Sequence, residues 1–392
     1  MFREKPADQP RTARESASAN DRIDTNGKSR ERTSERSGGA CGWKTAYAIV
    51  EITEPAHHYQ ERLERRCMDI LPLVSVVVTV YNRVQFLRNV LQSVLEQTFR
   101  SFEIIVADDS NSSEIKSICD SFDRPKIRYR SNSSPVGVAL NVRAGIAEAR
   151  GRYIAILNDD DSWEPDFLAL LVAPLENCSE RVLAFADHWM MLPDGQIDVR
   201  RTDENTSRYR RNTLPEGELH DWEARAIIDH TVPLAMAAIF RKNAVNWELV
   251  VGEVTGAYHF WITCLLASTG RPAYYIPQRL SRYRIHSSME TARRAADKNE
   301  NTVFIFAKLV ELGMFPQVEA ALRRQYRDAL FACGKDYLSF DRLPRAREYF
   351  LKSCQVSMNG KALAGWALTF LPRRLRSKCL AALTERKIEE PN

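Results

Sequence analysis

The chain has 392 residues, room for one large or two ordinary domains, and its 44% apolar share is normal for a soluble globular protein. A formal net charge of +5 is small for this length and gives no reason to expect a nucleic-acid partner. No apolar run reaches the roughly 18 to 20 residues of a membrane span, and the eight cysteines form no C-x-x-C pair, so they read as reduced thiols of a cytoplasmic protein.

Residues 1–67 open the chain. The first forty or so are polar and charged, with too little apolar surface to offset chain entropy, and are expected to be disordered. Met68 directly precedes the first ordered pattern; either it is the natural start and the preceding segment an over-extended reading frame, or that segment is an ordinary disordered tail. Residues 74–80 form a continuous β-branched run, as in a strand buried on both faces of a parallel sheet. A helix follows with Phe86, Leu87, Val90, Leu91, Val94 and Leu95 on one stripe. A second buried strand at 102–107 ends in Asp108-Asp109-Ser110, and a short helix carries Ile115, Ile118, Cys119 and Phe122. A third strand is expected at 127–129 and a helix at 136–149, which Gly151 ends.

The next strand, from Tyr153, runs straight into Asn158, Asp159, Asp160 and Asp161, with a helix start at Glu164-Pro165-Asp166. Three adjacent acids repel one another unless a positive charge lies among them. They read either as a site for a hard divalent cation, Mn²⁺ or Mg²⁺, or as a solvated turn capping the next helix. The alternation β-α-β-α-β-α-β predicts a mainly parallel sheet with right-handed crossovers. Ligands of such sheets bind at the carboxyl ends of the strands. Tyr81-Asn82, Asp108-Asp109 and the acids after Asn158 all fall there, and their convergence favours the cation.

Farther on the pattern loosens. Strands are expected at 182–186 and 233–240, loops over 194–222 and a helix at 258–266, before the alternating apolar and cationic residues 280–286. From about 300 the chain reads as helical, with Gly334, Tyr337, Ala346 and Phe350 at the spacing of one tetratricopeptide-like hairpin. Residues 366–383 combine Trp366, Phe370, Leu371 and Leu375 with Arg373, Arg374 and Arg376, which suits either a packed terminal helix or an amphipathic helix lying on an anionic membrane.

Several ordered stretches together resemble the family 2 glycosyltransferases of the GT-A fold: V-S-V-V-V-T-V-Y-N-R, S-V-L-E-Q-T-F, E-I-I-V-A-D-D-S, G-I-A-E-A-R-G-R-Y-I-A-I-L-N-D-D-D-S-W-E-P-D and Y-R-I-H-S-S-M, within residues 72–290. The resemblance implies an α/β, Rossmann-like GT-A domain over 68–290 with a mainly parallel central sheet, and a C-terminal α-helical extension over 291–392. It implies transfer of a sugar, with inversion, from a nucleoside-diphosphate donor such as a UDP-sugar to a hydroxyl of a saccharide or lipid-linked acceptor, in cell-surface polysaccharide or glycan biosynthesis. Tyr81 would stack on the base, with the backbone from Thr79 close to it and Asn82 beside it. Asp109 would accept a hydrogen bond from the base, and Asp108 would cap its turn. Asp159 would face the donor, Asp160 would ligate the metal, and Asp161 would support them. Arg284 and His286 would approach the diphosphate or the metal.

Three residues depart from the family pattern. Arg143 stands where Asn is common and would pair with a phosphate or with Asp160. Asn158 replaces the first acid of the commoner D-x-D form. His259 stands where relatives carry a catalytic acid, with Glu253 the nearest acid upstream. Imidazole, with an ordinary pKa of about 6.5, can take a proton at neutral pH, so His259 is the expected base and Glu253 the fallback. The substitution also leaves open a second class of function, a catalytically impaired sugar-nucleotide-binding scaffold acting through its helical tail.

Overall fold

The computed structural model describes residues 71–122, 126–285, 295–373 and 375–376. The segment 1–67, Met68, His286 and residues 377–383 of the terminal amphipathic stretch lie outside the described residues.

Strands β1 (Val74–Val80) and β2 (Phe102–Asp108) are buried at every position, as uninterrupted apolar runs require when both faces of a sheet are covered. Their side chains alternate between two layers. Val77, Ile105 and Ala107 face one core, and Val76, Val78, Ile104 and Val106 face the other. The second layer is closed by α1 (Val84–Leu95), through Leu87, Val90, Leu91 and Val94. On the first layer lie α3 (Val138–Glu148), which follows the short α2 (Ser113–Asp120), and a helix at Tyr258–Ala267. Gly145 lets α3 approach closely: a Cβ there would stand 2.8 Å from Val77 Cγ1.

The sheet runs in the order β3-β2-β1-β4-β8-β6-β9-β5, with β7 on β9. Strands β1 to β4, including β3 (Ile127–Ser131) and β4 (Tyr153–Asn158), are parallel. The expected mainly parallel order thus holds in the first half. Beyond β4 the sheet is mixed. The β5 (Ser162–Trp163), β7 (Gly217–Leu219) and β8 (Ala238–Arg241) strands pair antiparallel. Strands β6 (Leu183–Met191) and β9 (Ala273–Arg284) pair parallel to each other. Their register shifts at Ala186/Asp187 and again at Asp187/His188, where Pro277 has no N–H to give the ladder.

Two local expectations change. The run 233–240 is not one strand: Leu234–Ala237 is a helical turn, and the strand begins at Ala238. The polar stretch 194–222 contains a helix, Val199–Arg208, that has no apolar stripe because its buried side is made of Thr202 and Thr206. Asp198 caps it, accepting from the Arg201 backbone N–H at 2.9 Å.

The C-terminal helices are continuous with the first layer. Ala295–Glu311 places Ile305, Phe306 and Leu309 in the same core as Phe260, whose ring lies 5.7 Å from that of Phe306. The helices Glu319–Ser339 and Leu343–Val356 form an antiparallel pair closed around Phe350, which is seated against Gly334 and Gly365. Tyr337 and Tyr349 both donate to Glu300 Oε1, at 2.6 and 2.7 Å. The expected single helix over 366–383 is not what the described part shows. Gly360–Leu368 ends before Pro372, and Arg376 is buried in an ion pair with Asp341 rather than turned to a surface.

Gly151 begins the approach to β4 and donates its N–H to Ser75 Oγ at 2.8 Å. A Cβ there would meet the Ser75 backbone N at 2.5 Å. Gly151→Ala should therefore lower the unfolding free energy by about 2 kcal/mol, read from paired urea titrations. An unchanged midpoint would show that the β1–β4 junction yields without cost.

Candidate active site

The strand register assembles the site. Thr79 pairs with Ala107 on one side and Asn158 on the other. Tyr81, Asp109 and Asp159, each just past its strand, therefore share one edge of the sheet. The Tyr81 N–H donates to Asp159 Oδ2 at 3.1 Å, which ties the ends of β1 and β4 together. The Tyr81 side chain is 53% exposed and offers a free aromatic face at the rim. Asn82, also exposed, turns the chain with φ +56°, a conformation Asn tolerates better than most residues.

Asp108 and Asp109 divide into different tasks. Asp108 Oδ1 accepts from the Ser110 N–H and hydroxyl, and Oδ2 from the Ser112 N–H and the Tyr129 hydroxyl. It closes its own turn. Asp109 reaches outward and holds the loop before α3, accepting from the N–H groups of Val136 and Gly137 and from Asn132, all at 2.8 Å.

Asp159, Asp160 and Asp161 are all buried, at 4%, 6% and 1% exposure. Asp159 Oδ1 and Asp160 Oδ2 converge on one atom, Arg83 Nη1, at 2.9 and 2.6 Å. Asp161 turns the other way, accepting from Asn158 Nδ2 at 2.9 Å and the Arg284 N–H at 3.0 Å. Burial, aided by the neighbouring charge of Asp160 and opposed by Arg83, pushes Asp159 up to about 7. Burial and the same neighbour hold Asp161 well above the usual carboxylate range. The charged forms of these two acids are thus disfavoured despite the cations fixed around them.

This arrangement fits a hard cation. Two carboxylate oxygens already meet at one positively charged point, and carboxylate oxygens are what Mn²⁺ and Mg²⁺ prefer. Among the described residues no group of three or more His, Cys, Asp or Glu side chains forms a complete metal cage. The expected further ligand, His286, lies outside them.

Arg284 is placed differently from the expectation. It is buried beneath the turn, its Nε donating to the Asp160 carbonyl at 3.0 Å and its Nη1 to the Pro193 carbonyl at 3.0 Å. Its guanidinium lies over the Phe86 ring. It fixes the backbone of the acidic turn instead of facing an open crevice. Arg143 likewise reaches neither Asp160 nor the rim: its Nη1 donates to the Val250 carbonyl at 3.3 Å, because α3 directs it toward the 3-10 turn Trp247–Leu249.

Across the crevice, a 3-10 turn at Gly252–Ala257, kinked at Thr255, leads into the helix Tyr258–Ala267. Tyr258, not anticipated from sequence, brings the helix start to the acids: its hydroxyl lies 3.4 Å from Asn158 Oδ1. Burial, then the charges of Asp161, Asp160 and Asp159, raise its phenol above the ordinary range. His259 follows, half-buried, its ring edge-on to Tyr258 at 5.7 Å between centroids. Glu253 is exposed on the preceding turn. Arg83 was the other residue missed. Its signal was charge balance, since it is the first cation after β1 and three acids end the neighbouring strand.

Arg284→Lys keeps the charge but removes the fork that spans the Asp160 and Pro193 carbonyls. We expect a loss of about 2 kcal/mol in unfolding free energy, from two broken hydrogen bonds to a charged donor. A stability equal to wild type in chemical denaturation would show that the turn holds itself.

The sequence and fold also match known proteins. The model of "Glycosyl transferase family 2" matches residues 75–228. An uncharacterized glycosyltransferase of Haemophilus influenzae is 24% identical over 242 residues, 59% of this chain and 72% of that one. A putative teichuronic acid biosynthesis glycosyltransferase of Bacillus subtilis, TuaG, is 32% identical over 130 residues, 32% of this chain and 50% of that one. The chain spans between 17% and 34% of the length of three other bacterial glycosyltransferases that it matches. Among solved structures, S. aureus TarS 1–349 in complex with UDP-GlcNAc superposes with a TM-score of 0.56 at 13% identity, covering 80% of this chain and 93% of that one. Together with the strand-end acids on a mostly parallel sheet, these matches show that residues 75–228 are a glycosyl transferase family 2 region and that the chain has the GT-A fold.

Proposed function

We propose that this protein transfers a sugar from a nucleoside diphosphate, most simply a UDP-sugar, to a hydroxyl of a saccharide or lipid-linked acceptor, with inversion, in building a cell-surface polysaccharide. The observation that carries the reading is the meeting of Asp159 Oδ1 and Asp160 Oδ2 at one cationic point at the strand ends. The named relatives add support: TuaG is described by teichuronic acid biosynthesis and the TarS structure contains UDP-GlcNAc.

Each residue then has a task. The exposed ring of Tyr81 stacks on the base, with the Thr79 backbone and Asn82 beside it. Asp109 shapes the adjoining loop and keeps acceptor capacity for the base. Asp160, with Asp159 and His286, would hold Mn²⁺ or Mg²⁺, which supplies charge stabilisation to the departing diphosphate. Arg83 counters the acids before the donor arrives and stays within reach of the phosphates. As the bond to the diphosphate breaks, the sugar passes through an oxocarbenium-like state. The acceptor hydroxyl attacks from the opposite face, and His259 takes its proton, with Glu253 as the alternative base. Exposed Phe370, Leu371 and Leu375 support peripheral attachment to an anionic membrane. No helix among the described residues is long and apolar enough to cross one.

Two outcomes test this reading with a panel of nucleotide sugars and Mn²⁺. Asp160→Asn should lower turnover by about 10²-fold or more and abolish the Mn²⁺-induced rise in melting temperature. No turnover by the wild type with any donor that binds would favour the scaffold. His259→Ala should lower turnover by about 10²-fold with little change in donor KM. Near-normal turnover would remove His259 as the base and turn attention to Glu253→Gln.

A further inference from the structure

We propose that the cavity beside β6 is an acceptor subsite for a saccharide bearing an anionic group, a carboxylate or a phosphate; this rests on the transferase reading above. The cavity holds about 400 Å³ and is lined in part by Asp187, Trp189, Arg211, Asn212, Tyr275 and Arg279. That volume is in the range of small-ligand sites.

Its position follows from the sheet register. Ala155 of β4 pairs with Ile239 of β8, which pairs with Ala184 of β6. Three residues farther on, β4 reaches Asn158 and β6 reaches Asp187, so the two are level. At that level the helical turn Leu234–Ala237 takes the place of β8 between them. Tyr275 of the cavity lies in the same core layer as Tyr258, whose hydroxyl approaches Asn158. The cavity therefore lies on the face of the sheet packed by the helix of His259, toward the same strand ends as the acidic turn.

The irregular pairing of β6 with β9 builds the site. An unbroken register after Ala186–Ile276 would place Pro277 opposite Asp187, but the shift places Arg279 there. Bulges of this kind re-aim side chains next to functional sites. The helix Val199–Arg208 covers the result with Thr206 instead of an apolar stripe.

The chemistry points to an anion. Both oxygens of Asp187 are engaged, Oδ1 by Arg211 Nε and Oδ2 by the Thr206 hydroxyl, each at 2.6 Å. Arg211 Nη2 donates to Asn205, and Arg279 Nη2 to Asp203 at 2.6 Å. The Nη1 atoms of the two arginines have no acceptor among the described residues. Two guanidiniums thus line the cavity, one paired to Asp187, whose oxygens are both taken, and the other to Asp203 at its exposed side, and Arg211 is only 2% exposed. Guanidinium nitrogens match carboxylate and phosphate oxygens. Trp189, with the Arg279 guanidinium 4.6 Å from its ring centre, and the buried Tyr275 form the apolar side of the cavity.

The test uses the full chain with UDP present in excess, so that the donor site is filled. Calorimetry compares a disaccharide ending in glucuronic acid, its glucose-terminated counterpart, glucose 6-phosphate and inorganic phosphate. At least one charged saccharide should bind about tenfold or more tightly than the neutral one, a step expected for one charge-assisted pair. Carboxylate or phosphate preference then identifies the source of the anion. Arg279→Gln, at a partly exposed position, should erase the preference while lowering the melting temperature little. Equal binding of charged and neutral sugars, an intact preference in Arg279→Gln, or inorganic phosphate binding as tightly as the charged sugars would each overturn the subsite. Sugar-nucleotide turnover by the wild type, measured separately, reports on the transferase reading. Turnover without the preference sinks only the subsite, and the preference without turnover sinks only the transferase reading.

Discussion

Three consecutive carboxylates are buried at the end of β4, and the rest of the site exists to make that tolerable. Burial of acids disfavours their charged forms, and mutual repulsion adds to the penalty. The protein answers from two sides. Arg83, just after β1, places one nitrogen between Asp159 and Asp160. Arg284, from β9, gives its N–H to Asp161 and its guanidinium to the turn's backbone. Compensation remains partial, since Asp159 still sits near 7. A fold that only needed a turn would have used neutral residues here.

The parallel register of β1, β2 and β4 makes this convergence geometric. Thr79, Ala107 and Asn158 lie in one row, so whatever follows them shares an edge. The mixed half of the sheet then supplies the opposite wall. Antiparallel β8 lets β6 and β9 run back parallel to β4, which carries Arg284 under the acids and Asp187 alongside them. The helix beginning at Tyr258 closes the crevice from the first layer. Core packing and site geometry are therefore the same set of strand pairings.

What was legible in the sequence follows the same physics. Fully buried strands announce themselves as apolar runs, so β1, β2 and β4 and the polar residues at their ends could be read directly. The helix Val199–Arg208 could not, because its buried side is threonine and covers a charged cavity rather than a hydrophobic core. The opposition of Asp187 and Arg279 depends on a register shift between strands about ninety residues apart, which no local pattern records. Arg143 and Arg284 carry the expected charge, yet α3 and β9 aim them at backbone carbonyls. Residue type was readable there and direction was not. Arg83 was visible as a residue, but its role depends on a tertiary contact with Asp159 and Asp160.

The central claim is that Asp159 and Asp160 hold a divalent cation through which a nucleoside diphosphate is bound. Titrating UDP into the protein by calorimetry, once in EDTA and once with Mn²⁺, addresses it without requiring the acceptor. The account predicts that Mn²⁺ tightens UDP binding by about tenfold or more. Equal affinity in EDTA and in Mn²⁺, or no UDP binding in either, would contradict it.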